Sequence, residues 1–400
     1  MNDHAILNQV VLGYSPMIDR ERVITATRLT VFPARPDLPL DAGALLAAVA
    51  EVWPEGAGKV SLNVVSESLL HDLMLSKPSA NLMLEVPAFM AANAAHSDAI
   101  NTLYGRGNTL LLKGRPLTEL PRSVLPCFKH SIIDLQDERR SDTPPPPGVT
   151  RQITHIQAGV RTLADLHGSF QRGAFAVLGW PIDDALQATG KVRTADHDVI
   201  VELMSQLDQQ APIGKLEETI ARDAMLAFKL LRYINSPAFG LRVEVSSFGH
   251  ALMMLGQSRL KRWLALLLAT ASNERDMKPV MFAALRRGLL MEELVRASAG
   301  LGGNDEQMRS EAFVCGVFSL LDRMLGEPFA TLLESVPVPE TVRTALVDGQ
   351  GPFQPFLEVV HAVENESIYD IRETAERLLL SEAAINRSTL RALANAAQLQ

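Results

Sequence analysis

A chain of 400 residues exceeds one ordinary domain and suggests two or three. Its residues, 47% hydrophobic and 21% charged, are those of globular protein, and aromatics at 5% leave aliphatic side chains to build the cores. The formal charge of −8 excludes a general affinity for nucleic acid, which needs clustered Lys and Arg to displace phosphate counterions.

The opening MNDHAILNQVVLGYS has no basic start before a long apolar core, so it does not read as a signal peptide. Short runs bounded by turn residues follow: QVVLGYSPMID, VITATRLTVF, KVSLNVV, NLMLEVP, TLLLKGR and HSIIDLQ. Their β-branched and aliphatic content suits strands. Helical patterns such as DAGALLAAVAEVW (41–53) lie between some of them. Apolar strands alternating with helices imply a parallel sheet covered on both faces, either doubly wound or closed as a barrel. RRSDTPPPPG (139–148) can be neither helix interior nor central strand and reads as extended polyproline II. THIQAGV and GAFAVLGWP beyond it extend the strand-rich part to about residue 182.

From about 195 the pattern turns helical. RDAMLAFKLLRYINSPAFG (222–240) has apolar residues three or four apart and stops at Asn235-Ser236-Pro237, with Gly240 beyond. Further amphipathic stretches continue to the C-terminus, and no strand is expected among them. The longest apolar run, WLALLLATA (263–271), is far short of the roughly 20 residues that cross a bilayer. Cys127 and Cys315 lie far apart without CxxC spacing, which fits a reducing compartment. A soluble, cytoplasmic protein is expected.

Catalytic signatures are sparse. None of the histidines forms an HxH, HxxH or HExxH pair, and the dipeptides His71-Asp72 and His197-Asp198 read as structural or surface features. There is no phosphate-binding GxxxxGK[ST] loop and no GxSxG elbow. Neither a resident metal nor a cofactor is expected. RLKRW (259–263) reads as a solvated helix face and Cys315 as a small buried hydrophobe.

The helical half resembles the HDOD domain, a signalling relative of metal-dependent HD phosphohydrolases. The resemblance rests on KLLRYINSPAFGL (229–241), SSFGHALMMLGQSRLKRWLALLLATA (246–271) and AFVCGVFSLLDRMLG (312–326). Where catalytic relatives carry an adjacent His and Asp, this chain has Ser319 and Leu320, and a leucine cannot hold a divalent ion. The resemblance suggests Asn235, Ser236, Pro237 and Phe239 as an interaction surface.

The first half is similar to the EAL domain, the (β/α) barrel that hydrolyses cyclic di-GMP. YSPMID (14–19), VSLNVV (60–65), LMLEVP (82–87), SIIDLQ (131–136), IQAGVRT (156–162) and FQRGAF (170–175) carry the likeness, in the family's order. ATRLTV (26–31) falls where the namesake triplet stands. The resemblance puts Thr27 at the metal-binding glutamate, Arg28 at the alanine and Leu29 at the surviving leucine. It puts Leu112-Lys113 at the paired aspartates, Ile132 or Ile133 at the catalytic lysine and Ala158 at a further glutamate. Asn63, Glu85 and Asp134 are left as potential ligands. Arg28 and Lys113 would either form an anion site or pair with Glu85. The segment between Asp134 and Gly159 is too short for the family's usual helix, so a helical domain or second subunit is expected to cover that side.

The fold class expected is therefore α/β plus all-α. A degenerate, truncated (β/α) TIM-type barrel over 1–185 precedes a helical HDOD domain over 195–400. The function implied is that of a signalling protein, not an enzyme, recognising cyclic di-GMP enzymes, a histidine kinase or a response regulator, and feeding motility, biofilm or stress output. Two alternatives stand beside it: an effector that binds cyclic di-GMP without hydrolysis, and an active phosphodiesterase. A homodimer is also compatible with this reading.

Overall fold

The computed structural model describes residues 4–54, 58–138, 153–183, 195–220, 222, 226, 248–269, 275–298, 305–335 and 338–398. It divides into two compact units. One comprises Met1–Asp184 with His361–Ala394, the other Ala185–Val360 with Asn395–Gln400.

In the first unit, eight strands close into a barrel in sequential order: β1 (Val10–Asp19), β2 (Ile24–Pro33), β3 (Lys59–Val64), β4 (Leu82–Pro87), β5 (Thr109–Lys113), β6 (Phe128–Asp134), β7 (Thr154–Val160) and β8 (Ala176–Gly179). Strands β2 to β8 run parallel to their neighbours, whereas β1 is antiparallel to both β2 and β8. The interior layer of Met17, Ala26, Met83, Leu111, Ile132, Ile156, Ala158, Ala176 and Leu178 fixes which face of each strand points inward. Outside the strands pack helices α1 (Ala42–Val52), α2 (Glu67–Leu75), α3 (Ala88–Ala91), α4 (Ser97–Gly105) and α5 (Leu163–Gln171), so the strands they cover are apolar on the outer face as well. Asp41 and Ser66 cap α1 and α2 by accepting from Ala44 N and Leu69 N, and Thr162 with Asp165 forms a capping box on α5. The barrel is complete in its strands. Among the described residues no α-helix stands between β5 and β6 or between β6 and β7.

Strand β1 overhangs the short β8, which pairs only with Met17–Asp19. The exposed edge is satisfied group by group. Trp180 Nε1 donates to Tyr14 O (3.2 Å), and Asn386 accepts from Leu12 N (2.9 Å) while donating to Val10 O (2.7 Å) and Leu7 O (2.9 Å). One side chain thus does the pairing that a longer β8 would do. Arg372 adds a hydrogen bond to Ala34 O. The division of the chain therefore differs from the 195–400 expectation at the C-terminus, where His361–Ala394 packs with the barrel.

The second unit contains α6 (Ala195–Asp208), α7 (Ile213–Ile220), α8 (Phe248–Ala269), α9 (Met277–Ala297), α10 (Glu306–Phe318), α11 (Leu321–Leu325), α12 (Phe329–Ser335) and α13 (Glu340–Arg343). Helix α14 (Gln354–Glu364) crosses from this unit into the first, where α15 (Ile368–Arg377) and most of α16 (Glu382–Gln398) lie. Helices α9 and α10 approach closely at Gly288 and Gly316, and a Cβ on Gly316 would stand 2.6 Å from the Arg287 carbonyl. No described helix is long and apolar enough to cross a membrane.

Candidate functional site

The carboxyl ends of the parallel strands form a mouth where polar side chains replace the apolar interior, the end at which such barrels ordinarily place their sites. Alternation along β2 turns Ala26, Arg28 and Thr30 inward and Thr27 and Leu29 outward. Arg28 therefore faces the barrel interior. Thr27 and Leu29 are buried on the other face of the strand.

Arg28 grips Glu85 with two parallel hydrogen bonds, Nε to Oε1 at 2.9 Å and Nη2 to Oε2 at 2.8 Å. Ser61 Oγ donates a third to Glu85 Oε1 at 3.0 Å. The Glu85 side chain is 0% exposed and that of Arg28 12%. Burial alone would lower the Arg28 pKa, but Glu85 and Glu366, with a smaller contribution from Asp134, outweigh it and hold the guanidinium above its ordinary value. Glu366 comes from the turn after α14, at a positive φ of 55°. Its carboxylate accepts from Thr30 Oγ1 at 2.7 Å and Ser15 Oγ at 3.0 Å, and lies 4.0 Å from Arg28 Nη1. Gly13 admits it, since a Cβ there would stand 3.0 Å from Glu366 Cα.

A second strand of the network runs from Lys113 Nζ to Asn63 Oδ1 (2.7 Å) and from Asn63 Nδ2 to Thr30 Oγ1 (3.1 Å). Burial, and then repulsion from Arg28, lower the Lys113 pKa despite the pull of Glu85 and Glu366. Asp134 sits at the end of β6 opposite Ala158, accepting from Gln136 N, with Gly159 leaving room for its carboxylate. Ala158 and Ile132 belong to the apolar layer below. The mouth thus joins Arg28, Asn63, Glu85 and Lys113 in one network, with Asp134 near enough to act on Arg28 through its charge. Sequence reasoning missed Ser15, Thr30, Ser61 and Glu366. Thr30 and Ser61 carry a signal, a polar residue every second position on an apolar strand, whereas Ser15 and Glu366 carry none.

In the second unit, Ser319 Oγ donates to Gly316 O (2.7 Å) and accepts from Arg287 Nη1 (3.1 Å), and Leu320 is buried. Asn235, Ser236, Pro237 and Phe239 lie outside the described residues. Among the described residues no group of three or more His, Cys, Asp or Glu could hold a metal ion.

These features define a closed barrel joined to a helical module, and residues 195–327 match the HDOD domain. The cyclic di-GMP phosphodiesterase CdgJ of Vibrio cholerae serotype O1 is 27% identical to this chain over 308 residues, covering 76% of this chain and 70% of the relative. Among solved structures, Klebsiella pneumoniae BlrP1 in a calcium and cyclic di-GMP complex has a TM-score of 0.32 at 12% identity, over 46% of this chain and 57% of that one. The FimX EAL domain from Pseudomonas aeruginosa bound to c-di-GMP has a TM-score of 0.30 at 13% identity, over 46% of this chain and 96% of the domain. Through its similarity to CdgJ the chain is related to a cyclic di-GMP signalling protein. The expectation that it is not an enzyme is overturned by CdgJ, a relative along three quarters of its length that is named as one.

Proposed function

We propose that this chain is a cyclic di-GMP signalling protein whose barrel mouth receives the dinucleotide and whose HDOD-bearing part docks partner proteins. The partners in this reading are cyclic di-GMP enzymes, a histidine kinase or a response regulator, with output in motility, biofilm or stress responses. The observation that carries the ligand assignment is the pair of half-buried cations, Arg28 and Lys113, held at the carboxyl end of the barrel in two hydrogen-bonded chains that the Arg28–Glu366 ion pair joins. A phosphodiester offers an anion with acceptor oxygens in the planar spacing that a guanidinium matches. Glu366 already presents an anion to Ser15, Thr30 and Arg28. A phosphate in its place would take up the same donors.

The test is calorimetric titration of the full chain with cyclic di-GMP in Mg²⁺ and in Mn²⁺, with chromatography for the linear dinucleotide. Saturable heat or product formation, either one reduced in Arg28→Ala, is the expected result. Neither heat nor product would overturn the assignment.

A further inference from the structure

The barrel has a second opening at its amino end that the mouth network does not use. A cavity of about 550 Å³ lies there, within the range of small-molecule sites. Its floor is the apolar side of the interior layer, Met83, Leu111 and Ile156, which separates it from the mouth. One wall is a stacked pair of rings, His130 on Phe175, with centroids 4.2 Å apart and planes 18° from parallel. His130 Nδ1 shares a hydrogen bond with Thr154 Oγ1 at 2.5 Å, which fixes the ring against that wall.

The rim carries charge of both signs, but its members differ in how they are engaged. Asp19 Oδ1 accepts from Glu21 N and Val23 N, which commits it to the hairpin between β1 and β2, and Arg20 donates to Ala174 O and Phe170 O, which commits it to the stretch from the end of α5 to β8. Glu21 stands on the same rim. Lys59 and Lys129 are exposed at the starts of β3 and β6, and among the described residues neither makes an ion pair or side-chain hydrogen bond. Burial, then the charges of Lys129 and Lys59, bring the His130 pKa down to about 4, so the imidazole is neutral at pH 7 and the lysines supply the positive field.

We propose that this cavity binds a small aromatic carboxylate, its ring lying along the apolar floor and the His130–Phe175 wall and its anion facing Lys59 and Lys129. Flat apolar bodies stack favourably on aromatic walls, and two ammonium groups with no partner among the described residues select an anion over a neutral isostere.

The experiment titrates the full chain with 2-naphthoate by calorimetry, and in parallel with 2-naphthamide, which has the same rings without the charge. One site per chain is expected, with the amide at least tenfold weaker. The double variant Lys59→Gln/Lys129→Gln, altered only at exposed side chains, should lose at least tenfold for naphthoate while keeping its urea midpoint. No saturable binding, equal affinity for acid and amide, or naphthoate binding unchanged in the double variant would each overturn the proposal.

Discussion

Asn386→Ala tests how the barrel seam is held. The side chain is 1% exposed and makes three hydrogen bonds of 2.7–2.9 Å to the backbone of the first twelve residues. Alanine would leave the Leu12 amide and the Val10 and Leu7 carbonyls unpaired where water does not reach easily. At about 1 kcal/mol for each group stranded, the low end of the usual penalty, the loss is about 3 kcal/mol. Water entering the new space offsets part of this, so about 2 kcal/mol is the smallest loss consistent with the geometry. Urea unfolding is the first assay, followed through Trp180, which is buried against β1 at Tyr14. Native-state hydrogen exchange at Leu12 is the second, because it reads the affected amide directly. An unchanged midpoint for the Trp180 transition together with unchanged protection at Leu12 would refute the claim that this side chain closes the seam.

Other consequences follow from the same geometry. Arg28→Ala strands the fully buried Glu85 carboxylate and should destabilise the barrel by about 3–5 kcal/mol; Arg28→Met with Glu85→Leu should recover most of that in thermal melts. The His130 pKa is about 4 in the folded chain against an ordinary 6.5, so its contribution is present above pH 6.5 and lost as the pH falls toward 4. His130→Phe should flatten that limb of the stability–pH curve. Gly316→Ala forces a Cβ to 2.6 Å from the Arg287 backbone, and overpacking of this kind costs about 1–3 kcal/mol, measurable as a lowered urea midpoint for the helical unit.

The strands were legible in the sequence because each is a short apolar run between turn residues, and all eight runs become strands of the barrel. Their directions were not. A hairpin and a parallel crossover begin with the same strand letters, and the short turn between Asp19 and Ile24 permits only the antiparallel return of β2 on β1. The site was half legible. Which of Thr27 and Arg28 faces the interior was not legible, because a one-residue change of register moves every side chain of a strand to the other face. Arg28 is legible because a guanidinium in an apolar strand needs a partner, and Glu85 is one of the acidic residues the sequence offers it. Glu366 could not be found that way, because its place at the mouth depends on a tertiary contact 351 residues from Ser15.

The seam described above also sets an order of events during synthesis. Asn386 is translated 374 residues after Leu12, which at roughly 5–20 residues per second is a delay of roughly 20–75 s. Once Gly179 is made every strand of the barrel exists, yet the upper edge of β1 still lacks its cap. An unpaired edge is a template for strands of other chains. The nascent barrel therefore presents that edge until its last helices arrive to finish the first strand.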